Sequence, residues 1–378
     1  MILMMSVILI ALILIIFLCI GDLKFKKVIS HNQEERNEIM NFIEQCGGNH
    51  TSHLYLLGDK NYFWSQQKRV LITYQRITNM FVVLGDPLGD QHLIKEAMNE
   101  FNRYCNQQGV RKVYYQVSHK HLSLYKDEGL LIKKVGEEAK VYIPDHSLTG
   151  KKMTNIRTNV NKCKRSGYHF EIYTPPHHPQ LLLNLKEVSD SWLGDRKEKS
   201  FSIGYFEESY LSHFPIAVVS QSNGTIMAFA SLAEHQELGE KLITIDLMRY
   251  RRESLSGTMD FLFSSILNWC SEEEYTWCSL GNSPLANIAN KSKKGWYETV
   301  ANYMFTKSKS TYNFKGLFEY KDKFKPKWDS RYLIYEKKYG LLLVILNLIL
   351  LINRRVSIER TQLRFPVIPF VKKMRKVG

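Results

Sequence analysis

Between Gly150 and Gly167 the chain carries six basic residues, Lys151, Lys152, Arg157, Lys162, Lys164 and Arg165, and no acidic one. Its apolar positions are few. Met153, Ile156 and Val160 recur at helical spacing, which predicts a helix with a narrow docking stripe and a broad positive face. Ser147 or Thr149 is placed to cap it. This constrains the fold because β-rich sequence lies on both sides, so the helix is expected to connect two α/β halves.

The first half spans residues 35–146. Tyr55–Leu57, Tyr62–Trp64, Val70–Tyr74 and Met80–Leu84 read as short strands separated by turn residues. Gly85 to Asp90 reads as a strand-to-helix turn, because it lacks the Gly-x-Gly-x-x-Gly spacing of a phosphate loop. A helix over Gln91–Gln107, a strand at Val113–Val117, a short helix over Leu122–Glu128 and further strand over Leu130–Ile143 complete it. The second half, residues 168–336, predicts strands at His169–Tyr173, Ala217–Ser220, Ile226–Leu232, Lys241–Met248, Thr276–Leu280 and Tyr303–Phe305. Helices are expected over Leu181–Leu193 and Met259–Cys270. The similar size and element order suggest a duplicated fold, although no repeat is visible in the residues themselves.

Both ends point to a membrane. Residues 1–27 open with an apolar run broken only by Ser6 and followed by Lys24, Lys26 and Lys27. That length is enough to span a bilayer, and the basic flank places the rest of the chain in the cytoplasm. No basic n-region or small-residue cleavage site marks it as a signal peptide. Residues 337–378 hold the apolar run Leu341–Ile352, too short to span, and then a polybasic tail. An interfacial helix on anionic lipid is expected there, with a helix docked on the protein as the alternative. The formal net charge of +15 favours polyanionic partners, either nucleic acid or anionic lipid. Six cysteines show no metal or disulfide spacing, so no metal or other cofactor is expected.

Within the second half, one stretch concentrates chemistry. Asp246 and Arg249 lie near the end of a predicted strand, and Ser256-Gly257-Thr258 then opens a helix. Backbone N–H groups at that start can take an anion, or the turn is simply a helix cap. Three-residue spacing on a regular strand puts Asp246 and Arg249 on opposite faces, against a direct ion pair. No Ser-His-Asp or Cys-His arrangement is present, which favours direct attack over a covalent intermediate.

The chain resembles the cytosolic synthase domain of the bacterial multiple peptide resistance factor family, the phosphatidylglycerol lysyltransferases and their alanyl relatives. The resemblance rests on pieces in the family's order: Gly85-Asp86-Pro87-Leu88-Gly89-Asp90, Tyr114-Tyr115-Gln116-Val117, Gly136-Glu137-Glu138-Ala139, Leu148-Thr149-Gly150-Lys151-Lys152 and Ser191-Trp192-Leu193-Gly194. Further on come the run from Arg196 to Gly204, Pro215-Ile216-Ala217-Val218, Asp246-Leu247-Met248-Arg249-Tyr250, Gly257 to Phe263, Tyr312 to Leu317 and Tyr320-Lys321-Asp322-Lys323-Phe324. It covers about residues 50–336. Where the family has Gly-Met-Ala-Pro-Leu, this chain has Gly281-Asn282-Ser283-Pro284-Leu285. A single anchor also stands where full-length members carry a polytopic flippase part, so a separate flippase is a possible partner.

The resemblance implies an α/β protein with tandem GNAT-type acyltransferase folds joined by the basic helix, to which the apolar run at residues 1–27 adds an N-terminal transmembrane helix. It implies an aminoacyltransferase that moves an amino acid, expected to be lysine, from aminoacyl-tRNA to phosphatidylglycerol, here membrane-anchored by that run. The product would protect the cell surface against cationic peptides. Asp246 is then expected to hold the aminoacyl ammonium or orient the nucleophile, and Arg249 to meet a phosphate or oxyanion. Lys321 and Lys323 would bind lipid phosphate or the tRNA 3′ end, Tyr205 would line a lipid tunnel, and Ser256, Gly257 and Thr258 would bind substrate through backbone N–H groups at the helix start. Lys151, Lys152, Arg157, Lys162, Lys164 and Arg165 would contact tRNA. The rival readings are a tRNA-dependent peptidoglycan branching enzyme and a non-catalytic tether for RNA or lipid.

Overall fold

A computed structural model describes residues 33–126, 130–237, 239–288, 295–307 and 313–354. The expected N-terminal anchor and nearly all of the polybasic tail lie outside these residues. Among the described residues no helix is long and apolar enough to cross a membrane.

The chain begins with α1 (Gln33–Cys46) and a 3-10 turn over Ser52–Leu57. The strands β1 (Asn61–Trp64), β2 (Val70–Ile77), β3 (Met80–Leu84) and the two-residue β4 (Leu88–Gly89) follow. Next come α2 (Ile94–Gln107), β5 (Arg111–Val117), α3 (Leu122–Lys126), β6 (Leu131–Tyr142) and the basic helix α4 (Thr154–Arg165). The rest is β7 (Tyr168–Tyr173), α5 (Pro179–Leu193), α6 (Glu208–Leu211), β8 (Ile216–Gln221), β9 (Ile226–Glu237), β10 (Glu240–Tyr250), α7 (Thr258–Glu272), β11 (Trp277–Pro284), α8 (Trp296–Lys307), α9 (Phe314–Asp322), β12 (Lys327–Tyr335) and α10 (Leu341–Ile352).

All the strands join one sheet in the order β1-β2-β3-β5-β12-β6-β11-β10-β9-β8-β7, with β4 on β2. The order is symmetric about its middle. On one side β2 runs antiparallel to β3, and β3 crosses through α2 to the parallel strand β5. On the other, β9 runs antiparallel to β10, and β10 crosses through α7 to the parallel strand β11. Each unit is closed by the other half's last strand. β12 pairs with β5, β6 pairs with β11, and the two exchanged strands pair with each other. The duplication, invisible in the residues, is therefore visible in the connectivity.

Strand alternation sends side chains to two faces. On β2, Leu71 and Ile77 join one core, while Ile72 and Tyr74 join another. The first core gathers residues from α1, the 3-10 turn, α5, α6, α8 and α10 across both halves. The opposite face carries two separate cores, one under α2 and α3, the other under α4 and α7. Burying each large apolar side chain contributes roughly 1.5–3 kcal/mol.

Three expectations need correction. Tyr55–Leu57 lies in the 3-10 turn, not a strand. Every residue from Thr51 to Lys60 is buried, and a short apolar run cannot by itself distinguish the two conformations. Tyr303–Phe305 belongs to α8, where Tyr297 and Ala301 are buried at helical spacing. For Leu341–Ile352, one face follows the docked alternative, with Leu341, Val344, Asn347, Leu348 and Leu351 buried. Thr78 donates to Asn347 Oδ1 at 2.9 Å, which explains the one polar residue of that helix. The cap of α4 also differs. Gly150, at φ 87°, leads into a 3-10 turn, while Ser147 Oγ bonds to Thr149.

Candidate functional site

β10 and β11 pair only from Leu242–Thr244 against Trp277–Ser279 and then diverge. Both strands are irregular just beyond. The register of β10 on β9 shifts between Ile245 and Met248, and that of β11 on β6 between Ser279 and Asn282. The β10 bulge changes the phase of the strand. Ile243 and Ile245 point into the core under α7, but Leu247 points into the core on the opposite face. Asp246 and Leu247 thus share a side, and Arg249 returns to it.

Asp246 is about one-tenth exposed, with His53 Nε2 at 3.5 Å from Oδ1. The Tyr210 hydroxyl donates to Oδ2 at 2.7 Å. Burial pushes its carboxyl up, but His53, Tyr210 and Arg249 outweigh this and hold it below the ordinary range. The carboxylate lies against Gly204, where a Cβ would stand 2.3 Å from Oδ2. The glycine is there because no side chain fits.

The neighbouring wall comes from the first half. Lys60 is fully buried and pairs with Asp59, whose Oδ2 accepts from Phe201 N at 2.7 Å. Burial lowers the Lys60 pKa, partly countered by Asp59 and Asp246. Tyr205 was expected to face substrate. Instead it is buried, with its hydroxyl donating to Leu57 O at 2.7 Å, and it braces the seam between the halves. Phe201 and Phe206 are core residues as well.

Arg249 bonds Glu198 at 2.9 Å and lies over the Trp192 ring at 3.9 Å. Arg196 covers the same ring at 4.0 Å. Burial lowers the Arg249 pKa, with Glu198 and Asp246 opposing it. Its Nε is buried without a hydrogen-bond partner among the described residues. Asp246 and Arg249 do not bridge one another, in keeping with the absence of a direct pair expected from the sequence. The reason is different, since they share a face and are each engaged elsewhere.

Lys321 and Lys323 part company at the C-terminal end of α9. Lys321 is buried, and its Nζ donates to Asn282 O at 2.7 Å. Gly281, at φ 80°, lies between the two strands: a Cβ there would stand in ordinary contact, 3.6 Å from Lys321 Nζ and 3.7 Å from Ile245 O. The amine therefore sits where β10 and β11 separate. Burial lowers its pKa to about 7, against the pull of Glu138. Thr244 Oγ1, Asn282 Oδ1 and Ser283 Oγ on the same strands are buried without hydrogen-bond partners among the described residues, a concentration of unmet polar groups suited to a ligand or water. Lys323 is 45% exposed and lies 3.5 Å from Asp260 Oδ1, so it does not share Lys321's environment.

The Ser256-Gly257-Thr258 start of α7 is covered. Asn159 of α4 lies over Gly257, with its Cβ 2.6 Å from where a Cβ would stand. Asn159 Nδ2 bonds Asp260 at 2.6 Å, and Thr258 Oγ1 donates to Leu255 O at 2.7 Å. Gly257 takes the N-cap position with no side-chain cap bond, and the turn is packed on α4.

On α4 the buried stripe is Ile156, Val160 and Cys163, preceded by Met153. Lys151, Lys152, Lys162, Lys164 and Arg165 are exposed. Arg157 differs, because it staples the preceding turn by donating to Leu148 O at 2.5 Å and Gly150 O at 2.7 Å. A groove of about 610 Å³ runs beside the helix, lined by Lys164, His169, Phe170, Glu171 and Trp269.

Sequence reasoning missed His53, Asp59, Lys60 and Tyr210. The adjacent Asp-Lys between apolar runs was the only local signal, and nothing local says that it packs against Asp246 some 190 residues on.

The chain is similar to known proteins in sequence and in fold. Residues 40–335 match the family model described as phosphatidylglycerol lysyltransferase, C-terminal. The phosphatidylglycerol lysyltransferase of Bacillus subtilis (strain 168) is 37% identical over 337 residues, 89% of this chain and 39% of that protein. That of Staphylococcus aureus (strain MRSA252) is 37% identical over 336 residues, 87% of this chain and 39% of its own. The chain thus spans about two fifths of the length of these relatives. A solved structure described as L-PGS from Bacillus licheniformis superposes with a TM-score of 0.75 at 35% identity, covering 87% of this chain and 100% of that one.

Proposed function

The chain belongs to the phosphatidylglycerol lysyltransferase C-terminal family, and from that premise we propose that it transfers lysine from aminoacyl-tRNA to phosphatidylglycerol. The mirrored β–α–β units support reading the halves as two GNAT-type acyltransferase folds, of which the second carries the chemistry. In the proposed reaction a lipid hydroxyl oxygen attacks the aminoacyl ester carbon. The bond from that carbon to the ribose oxygen breaks, and the proton lost by the lipid hydroxyl ends on the ribose. One ester replaces another, so positioning and charge stabilisation carry most of the catalysis.

Each residue then has a distinct task. Asp246, kept anionic in a nearly dry setting, receives an ammonium of the lysyl group. Arg249 is held by Glu198 and Trp192 with one N–H to spare, and it meets the oxyanion or a phosphate. Lys321, whose amine loses its proton near neutrality, takes the hydroxyl proton and returns it to the leaving ribose. The exposed lysines of α4, with Arg165, attract the tRNA backbone. Lys323 and Tyr205 stay outside the reacting centre in this account.

The observation that carries the reading is the bulge at Ile245–Met248, which turns the acid and the base of one strand toward the same side, next to the gap that holds Lys321. The test uses purified protein, phosphatidylglycerol, and lysyl-, alanyl- and arginyl-tRNA in parallel. Labelled lysine is expected in chloroform-soluble lipid, with RNase abolishing it. Label only in peptide, or no transfer from any charged tRNA, overturns the reading.

A further inference from the structure

Two helices show apolar surface to solvent at one end of the sheet. On α8, Trp296 and Tyr303 are each 51% exposed and seven residues apart, so they share a face, while Tyr297 and Ala301 are buried on the other. α10 is apolar all round but for Asn347, yet only one face is covered, and Leu343 on the other is 44% exposed. β6 joins the two surfaces. Its first residue, Leu131, is 37% exposed and pairs with Tyr335, just ahead of α10. Two residues on, Lys133 bonds Glu298 of α8 at 2.9 Å, and Lys134 O accepts from the Tyr297 hydroxyl at 2.9 Å.

Water-facing Trp and Tyr on one helical stripe, beside uncovered leucines, is costly on a surface that meets only water. The same side chains suit a bilayer boundary, where the ring is buried and its polar edge stays wet. Lys337 and Lys338 are exposed just ahead of α10, Lys338 with Glu336 at 2.7 Å. We propose that this end of the molecule, with the outer faces of α8 and α10 and Leu131 between them, is the docking surface for an anionic lipid bilayer. Basic groups would draw it to the headgroups, and Trp296, Tyr303 and Leu343 would enter the boundary. The inference deepens the lipid-substrate reading, since it says which face the protein turns to its acceptor.

The test uses the full chain in vesicles of phosphatidylcholine with and without phosphatidylglycerol, with acyl chains brominated as a quencher. Wild-type tryptophan emission is expected to be quenched, more strongly with phosphatidylglycerol present, and Trp296→Phe is expected to remove that component. Equal quenching in wild type and Trp296→Phe overturns the proposal, as does no quenching in wild type. A change in solution mass caused by Trp296→Phe would instead assign the face to a second copy of the chain, which also overturns it. In parallel, Trp296→Ser with Tyr303→Ser and Leu343→Ser should cut transfer to bilayer phosphatidylglycerol at least about tenfold and leave transfer to micellar phosphatidylglycerol intact. Equal losses on both presentations overturn it. Failure of the function reading would appear separately, as no transfer to any lipid while the quenching result stands.

Discussion

Asp246 and Arg249 face the same side of the sheet although they stand three apart on a strand. Regular alternation forbids this, and the bulge between Ile245 and Met248 permits it. The two do not neutralise each other, because Tyr210 and His53 hold the acid while Glu198 and Trp192 hold the base. An acid and a base kept apart but side by side can serve two parts of one transition state.

Replacing either member should therefore cost rate rather than fold. Asp246→Asn and Arg249→Lys are each expected to lower turnover about a hundredfold or more, with little change in melting temperature. The double variant should lose less than the product of the single losses, because both groups act on one transition state. Turnover with lysyl-tRNA and phosphatidylglycerol measures this. Near-normal turnover in either single variant would remove that residue from the mechanism.

Gly204 should behave as part of the acid's site. A methyl group there would collide with the Asp246 carboxylate, so Gly204→Ala is expected to cut activity at least about tenfold by displacing it. Gly340→Ala is the control, since a Cβ at Gly340 meets nothing within 4 Å. Equal activity in the two variants would show that the carboxylate's position is not critical.

Lys321 links activity and stability to pH. Its folded pKa of about 7 lies below the unfolded 10.5, so between these values the unfolded chain binds a proton that the native one has released. Stability should accordingly rise with pH over that window, and below about 7 the cost of charging the buried amine is fully present. Denaturant titrations are expected to show wild type gaining on Lys321→Met from pH 7 to pH 9. Activity should fall below about pH 7 in wild type, and Lys321→Met should be nearly inactive. A variant that keeps the acidic limb would assign that limb to another group.

Charge reversal on α4 should separate RNA binding from architecture. Lys162→Glu, Lys164→Glu and Arg165→Glu together are expected to weaken tRNA binding and flatten its salt dependence, by roughly one unit of log–log slope for each phosphate that is no longer neutralised. Arg157→Ala should instead lower stability by about 1 kcal/mol, because its guanidinium holds two backbone carbonyls. Binding curves at several salt concentrations and thermal melts distinguish the two effects.

The strand exchange also predicts a large stability effect. Arg331 of β12 and Glu138 of β6 are at most 4% exposed and paired with each other, and Glu138 is held well below the ordinary carboxylate range, burial being outweighed by Arg331, Lys140 and His50. Arg331→Met leaves the buried Glu138 carboxylate without its paired guanidinium and should destabilise the protein by about 3–5 kcal/mol. Arg331→Met combined with Glu138→Leu should recover much of that, as read by urea denaturation. Equal losses in the single and double variants would mean that the pair is not the cause.

Much of this was legible in the residues. The β-rich runs bounded by turn residues, such as Val70–Tyr74 and Ile226–Leu232, appear as strands where expected, because β-branched and aromatic side chains suit a pleated, buried surface. The α4 stripe likewise follows from a period near 3.6. The errors fall where periodicity is weak. Tyr55–Leu57 and Tyr303–Phe305 are three-residue runs, too short to carry a period. Lys321 and Lys323 looked like a pair only in the absence of their neighbours: one docks under Asn282 O and the other reaches solvent.

The sequence by itself determined the α/β class, the basic helix, the family and the Asp246–Arg249 stretch, since local periodicity, charge and motif order are properties of neighbours along the chain. Only the tertiary structure decided which groups meet. Bulges arise from pairing with another strand, burial from packing between elements far apart in sequence, and exchange of β6 and β12 from the closure of the whole sheet. His53, Lys60 and Lys321 acquire their setting in this way, and so does the shared orientation of Asp246 and Arg249. A pKa such as that of Lys321 depends on how much water the fold removes, and no local pattern of residues encodes that.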